Sequence, residues 1–125
     1  MKIKNHQIGN KEIAEIISNT VVIRNVEDSL DIIGNVYYQG YDFIILREEH
    51  LSSDFFQLKT KFAGEVLQKF INYRIHLSII GDFSKYKSSS LKAFIRESNR
   101  GKEVYFANSL KKVLLQLQNK RVESR

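Results

Sequence analysis

The chain lacks cysteine and proline altogether, and it has only three histidines among its 125 residues. The absence of cysteine excludes disulfide bonds and thiolate metal sites, and it makes a cytoplasmic location the simplest prediction. No apolar run approaches the roughly 18–20 residues needed to cross a bilayer. We therefore predict no membrane partner.

The composition is that of an ordinary folded protein, with 42% hydrophobic and 27% charged residues. No linker, repeat or low-complexity tract interrupts the chain. We predict a single domain over residues 1–120, followed by a frayed polar tail at residues 121–125.

Charge is unevenly distributed along the chain. Residues 1–58 carry five Lys and Arg against nine Asp and Glu, a net charge of −4, and residues 59–125 carry fifteen against five, a net charge of +10. Such an arrangement produces an oriented field that attracts an anionic partner to one side. The alternative is a basic solvated surface that only keeps the protein soluble.

The hydrophobic pattern predicts an α/β fold. Two alternating segments, Ile3 to Ile8 and Glu12 to Ile17, flank a Gly9-Asn10 turn signal and predict a β-hairpin. Further strands then alternate with helices, which implies a mixed, largely parallel sheet with right-handed crossovers. The strands predicted to lie side by side are at 43–46, 77–80 and 104–107.

The sequence predicts two helices between the hairpin and the strand at 77–80. The first begins at the capping residue Asn25 and ends at Gly40. Apolar residues three or four apart predict its buried stripe. That stripe is Val26, Leu30, Ile33 and Tyr37. The second is predicted as one long helix from a cap at Ser53 or Asp54 to about Arg74.

The order of elements resembles the STAS fold of bacterial anti-sigma-factor antagonists, over about residues 3–118. The residues also resemble a small bacterial family of unknown function, which implies no activity. The stretches that carry this second resemblance are Asp54-Phe55-Phe56 with Gly64-Glu65, Gln68 to Tyr73, Gly81 to Tyr86, and Phe94 with Glu97 to Gly101.

The STAS resemblance implies a regulatory role and a candidate phosphorylation site. In antagonist-type STAS domains, a Ser or Thr at the start of the long helix is phosphorylated, which switches binding to a kinase. Here the corresponding stretch contains Ser52 and Ser53. The usual Asp-Ser/Thr-Ser-Gly pattern is absent, so a plain helix N-cap at Ser53 is the favoured interpretation and phosphorylation is the alternative.

A ligand or enzyme site would lie beyond the carboxyl ends of the parallel strands. A histidine between carboxylates can act as a general base or bind a metal, although no motif supports either role. No glycine-rich phosphate cradle and no nucleophile motif is present, so we predict no cofactor, no metal and no catalytic residue. The pocket candidates in these loops are Glu49, His50, Asp82, Ser84 and Tyr86.

The strongest charge feature is a basic ridge on the predicted third helix, defined here as Lys92, Arg96 and Arg100 with Lys85 and Lys87 just upstream. The three helical residues are four apart and share one face. An acidic protein surface is the leading partner, whereas nucleic acid, with Tyr86 stacking on a base, is the alternative. We therefore predict a non-enzymatic regulatory or protein-interaction module. Its oligomeric state is left open, with a dimer among the options.

Overall fold

The computed structural model describes residues 1–119, so the predicted tail at residues 121–125 lies outside the described residues. A five-stranded sheet with strands in chain order is covered by four α-helices. The strands are β1 (Lys2–Ile8), β2 (Lys11–Ile17), β3 (Phe43–Arg47), β4 (His76–Ile80) and β5 (Val104–Ala107). The helices are α1 (Val26–Tyr38), α2 (Phe62–Asn72), α3 (Ser89–Arg100) and α4 (Leu110–Asn119).

The pairing of the strands confirms the predicted mixed sheet. β1 and β2 form an antiparallel hairpin, while β2, β3, β4 and β5 run parallel to one another. The turn between β1 and β2 contains Gly9 at φ +61°, a conformation that glycine adopts without steric cost. The predicted alignment of the three buried strands is therefore correct.

The order of the strands determines where the helices lie. Because each successive parallel strand is added on the same side, right-handed crossovers place every connecting helix on one face of the sheet. The buried residues of α1, α2 and α3 accordingly share one core with alternate side chains of β2 to β5. We call these three helices the helix layer. The opposite face of the sheet packs against α4 through Val113 and Leu117.

Helix α1 follows the predicted bounds, but its predicted inward face is wrong by about one position. The residues it buries are Ser29, Ile32, Ile33 and Val36. Tyr37 is instead 63% exposed and Leu30 lies at the surface. The small Ser29 can be buried because its hydroxyl donates to the Val26 carbonyl oxygen at 2.5 Å, which satisfies its polar atom.

The prediction of one long helix from Ser53 or Asp54 to Arg74 is also wrong. Two short 3-10 turns, Ser53–Phe56 and Leu58–Thr60, precede α2. Lys61 interrupts the helix because it adopts the left-handed conformation, with φ at +63°. The irregular path lets the neighbouring Phe55 and Phe56 both be buried. Ser52 precedes the first turn, and its side chain makes no capping hydrogen bond.

The free edge of β5 is covered by a side chain of α3. The Asn99 amide donates to the Phe106 carbonyl oxygen at 3.0 Å, and its oxygen accepts from the Phe106 N–H at 2.7 Å. These two hydrogen bonds occupy backbone groups of Phe106 that an edge strand would otherwise present to another chain.

We expect Asn99→Asp to destabilise the domain by about 1–2 kcal/mol, because the aspartate cannot donate and would face a carbonyl oxygen. Urea denaturation of the variant beside Asn108→Asp provides the test. Asn108 is exposed just after β5, so its change should remain within about 0.5 kcal/mol. Equal effects for the two variants would contradict the edge-covering role of Asn99.

Candidate functional site

The loop after β3 is anchored by Glu48, the neighbour of the predicted Glu49 and His50. Glu48 Oε2 accepts a hydrogen bond from the Tyr86 hydroxyl at 2.6 Å and forms a salt bridge with Lys85 Nζ at 2.6 Å. Gly81 makes room for this arrangement, because a Cβ there would lie 2.7 Å from the Cβ of Glu48. Glu48 thus joins the loop after β3 to the loop after β4.

His50 has a structural role that its position in the sequence does not reveal. The ring is 1% exposed, and its Nδ1 accepts from the Arg47 backbone N–H at 2.9 Å. Its Nε2 donates to the Ser18 carbonyl oxygen at 3.1 Å. Both ring nitrogens therefore have backbone partners, which leaves no nitrogen to act as a general base.

Asp82 and Ser84 bond to each other in an exposed turn. Asp82 Oδ1 accepts from the Ser84 N–H at 3.2 Å and from the Ser84 hydroxyl at 2.5 Å. The hydroxyl and then the N–H hydrogen bond hold the pKa of Asp82 below its ordinary value. This geometry is that of a local turn formed by an aspartate side chain.

The strand carboxyl ends bring together only part of the predicted pocket set. A small open cavity of 310 Å³ is lined by Glu49 and Tyr86 together with Ser53 and Lys85, whereas His50 and Asp82 do not line it. The Tyr86 ring stacks on Phe56 with centroids 5.2 Å apart. Desolvation and the hydrogen bond to Glu48 raise the pKa of Tyr86. Tyr86 is therefore engaged within the domain rather than presented for stacking on a base.

The two candidate phosphorylation sites differ in exposure. Ser53 is exposed at the start of a 3-10 turn, whereas Ser52 is half-buried and its Oγ has no hydrogen-bond partner among the described residues. The predicted cap at Ser53 is not formed, since α2 begins only at Phe62.

The basic ridge lies on the exposed side of α3, as its four-residue spacing predicts. Arg100 is paired with Glu97 at 2.9 Å, and Lys85 is paired with Glu48. Lys92 and Arg96 are exposed and form no salt bridge with any residue in the described part of the chain. Lys87 is exposed immediately before the helix. Three of the five ridge cations, Lys87, Lys92 and Arg96, therefore form no salt bridge within residues 1–119.

Exposed apolar side chains cluster on the same helix layer, a feature that the sequence reasoning missed. They lie on α1, on α2 and in the turn after α2. The set is Leu30, Tyr37, Tyr38, Ile71 and Tyr73. Tyr38 is 92% exposed. Tyr37 and Tyr73 line one cavity with Arg74, and surface patches that combine aromatic side chains with arginine are typical of protein interfaces.

Residues 1–119 contain neither a cluster of metal ligands nor a membrane-spanning helix. Within those residues, no group of three or more His, Asp or Glu side chains is placed to hold a metal ion. None of the helices in this part of the chain has the length and apolar character required to traverse a bilayer.

The molecule is thus a small mixed-sheet α/β domain that has a hairpin at one edge and a layer of three helices on one face. The chain belongs to a family described as a domain of unknown function, DUF4180, whose model matches residues 8–117. No curated protein and no solved structure matches it.

Proposed function

We propose that this domain is a non-enzymatic, regulatory protein-interaction module that binds an acidic protein surface through the outer face of its helix layer. The supporting observation is the exposure of Lys92 and Arg96 without salt bridges, on the same layer as the exposed tyrosines. Unpaired cations accelerate encounter with an acidic surface, and exposed aromatic and arginine side chains supply contact energy.

Binding of nucleic acid is less well supported. Two of the five ridge cations, Lys85 and Arg100, already have carboxylate partners, and Tyr86 is stacked on Phe56. Helix α1 adds Glu27 and Asp31, both exposed on the same layer, which would repel a phosphate backbone. A protein can place acidic groups opposite Lys92 and Arg96 and other groups opposite Glu27 and Asp31, which a uniformly charged phosphate backbone cannot do.

An enzyme or small-ligand site at the strand carboxyl ends also has little support. It would require His50 to present a free nitrogen and to share a cleft with Asp82. The hydrogen bonds of His50 to Arg47 and Ser18 oppose the first requirement, and the exposed turn of Asp82 opposes the second. The small cavity beside Glu49 and Tyr86 provides no acid–base pair of its own.

The proposal is tested by capture from nuclease-treated cell extract on immobilised protein. We expect Lys92→Glu with Arg96→Glu to lose protein partners that the wild type retains. The matched control, Lys111→Glu with Lys112→Glu, changes the same charge on exposed α4 positions and should retain them. Each partner is then purified and its binding to the wild type measured. Equal retention by both variants would contradict the proposal.

The regulatory part of the proposal is tested in the same experiment with Ser53→Ala and Ser53→Asp. A phosphorylation switch predicts that only the aspartate variant changes the set of captured proteins. Identical partners for the wild type and both variants would end that hypothesis. The STAS relationship and the cytoplasmic location remain parts of this proposal.

A further inference from the structure

The outer face of the helix layer carries opposite charges on its two flanks. On α1, Glu27 and Asp31 are exposed one turn apart, on the side of the helix opposite the buried Ser29, Ile32, Ile33 and Val36. No Lys or Arg occurs between residues 26 and 38. The other flank, α3, presents Lys92 and Arg96. Helix α2, whose outer side is largely polar, lies between the flanks.

From this we infer that the acidic partner of the basic ridge is a second copy of this chain, docked face to face through the helix layer. This inference rests on the proposed function, because it names the partner of the same surface. A two-fold interface uses the same patch on both copies, so it requires a surface that complements itself. An acidic flank and a basic flank on one face meet that requirement.

Charge also determines the direction of the two-fold axis. Each connecting helix runs antiparallel to the strand before it. Helices α1, α2 and α3 therefore all begin on the side of the sheet where the parallel strands have their carboxyl ends. An axis parallel to α2 then places α1 of each copy opposite α3 of the other, with their first turns at the same end. An axis perpendicular to α2 within the interface would oppose α1 to α1 and repel.

The positions of the charges along the helices fit the first arrangement. Glu27 and Asp31 are the second and sixth residues of α1, and Lys92 and Arg96 are the fourth and eighth residues of α3. The exposed Leu30 and Tyr38 on α1 and Ile71 on α2 add apolar surface to the same face. A groove of 1090 Å³ that runs from Glu27 past Gly64 to Phe94 offers space for side chains of the second copy.

The inference is tested by sedimentation velocity over about a hundredfold range of protein concentration, because self-association depends on concentration. We expect the wild type to form dimers that weaken as salt is added. Glu27→Lys with Asp31→Lys, and separately Lys92→Glu with Arg96→Glu, should each weaken the dimer at least about tenfold. Lys111→Glu with Lys112→Glu is the matched control and should dimerise like the wild type.

An equimolar mixture of the two charge-reversed variants should restore a dimer. In the mixed dimer the reversed, basic α1 of one copy meets the reversed, acidic α3 of the other. The unchanged α3 of the first copy meets the unchanged α1 of the second, so both contacts join opposite charges. Circular dichroism checks that each variant is folded. If a reversal unfolds the chain, Glu27→Gln with Asp31→Asn and Lys92→Gln with Arg96→Gln replace them, and each should weaken the dimer.

Three outcomes would overturn the inference: a wild type that is monomeric at every concentration, reversed variants that dimerise normally, or a mixture that stays monomeric. A monomeric wild type whose captured partners are lost with Lys92→Glu and Arg96→Glu would overturn only the second-copy inference. In that case the proposed binding of another acidic protein would stand. If the charge-reversed variants lose the dimer and the wild type captures no other protein, the second copy is the sole supported partner.

Discussion

Replacing Phe55 with alanine is expected to lower the free energy of unfolding by about 3–5 kcal/mol. The Phe55 side chain is 1% exposed and packs edge-on against both Phe56 and Phe62, with ring centroids 5.0 and 6.2 Å apart. The substitution removes a ring from the shared core and leaves a cavity that the surrounding side chains fill only partly.

Urea denaturation measures this effect, with Gln57→Ala as the matched control from the same irregular segment. Gln57 is exposed, so its substitution should change the free energy of unfolding by less than about 0.5 kcal/mol. A loss below about 1 kcal/mol for Phe55→Ala would mean that the 3-10 segment before α2 is not packed as described.

Replacing Glu15 with alanine is expected to cost about 2–3 kcal/mol, less than a fully buried ion pair because Arg47 is partly exposed. Glu15 is 3% exposed on the α4 face of the sheet. Its Oε1 lies 2.8 Å from His6 Nε2, and its Oε2 accepts from Arg47 Nη2 at 2.7 Å. Alanine would leave the arginine beside the sheet without its carboxylate.

The same cluster makes stability depend on pH. Burial acts to raise the pKa of Glu15, but the hydrogen bonds from His6 and Arg47 and their charges outweigh burial and leave the pKa below its ordinary value. A carboxyl whose pKa is lower in the folded state stabilises the fold above the ordinary value of about 4.3. That contribution is lost as pH falls through the lowered pKa.

Glu15→Gln separates the charge from the shape of the side chain. We expect the difference in unfolding free energy between the wild type and this variant to be present above the ordinary pKa of about 4.3 and to shrink as pH falls from there through the lowered pKa. Asp28 and Asp82, whose pKa values are also lowered, are present in both proteins and cancel in the comparison. A difference that is independent of pH would contradict the ion-pair role of Glu15.

The order and direction of the strands were predictable because local patterns specify them. The Gly9-Asn10 signal marks the hairpin, and the runs at 43–46, 77–80 and 104–107 are largely apolar, which is typical of strands buried on both faces. The phase of α1 was not predictable from apolar spacing alone. Ser29 is buried because its hydroxyl donates to the Val26 carbonyl oxygen. A prediction based on the spacing of apolar residues does not include serine.

The interruption at Lys61 was hidden for a different reason. Phe55, Phe62 and Phe70 continue a helical spacing through a segment that is not helical, and lysine is an uncommon residue for a left-handed position. Neither a proline nor a glycine marks the break. The Thr60 hydroxyl stabilises it instead, because it accepts from the Phe62 N–H and donates to the carbonyl oxygens of Asp54 and Gln57.

Much of the candidate site depends on contacts between residues distant in the sequence. The bond of His50 to Ser18 and that of Glu48 to Tyr86 join residues 32 and 38 positions apart, and no local pattern encodes them. The basic ridge was predictable because its spacing matches the helical repeat. Its complement on α1 could have been found from Glu27 and Asp31, which are likewise four apart in a helix without Lys or Arg.

We expect a second copy to dock on the outer face of the helix layer. Backbone amide NMR spectra recorded during dilution of the wild type test this docking most directly. We predict chemical-shift changes at exposed positions of α1, α2 and α3, including Asp31 and Arg96, with none at Lys111 and Lys112 on α4. Changes confined to α4 or β1, or spectra that do not vary with concentration, would contradict docking of a second copy through this face.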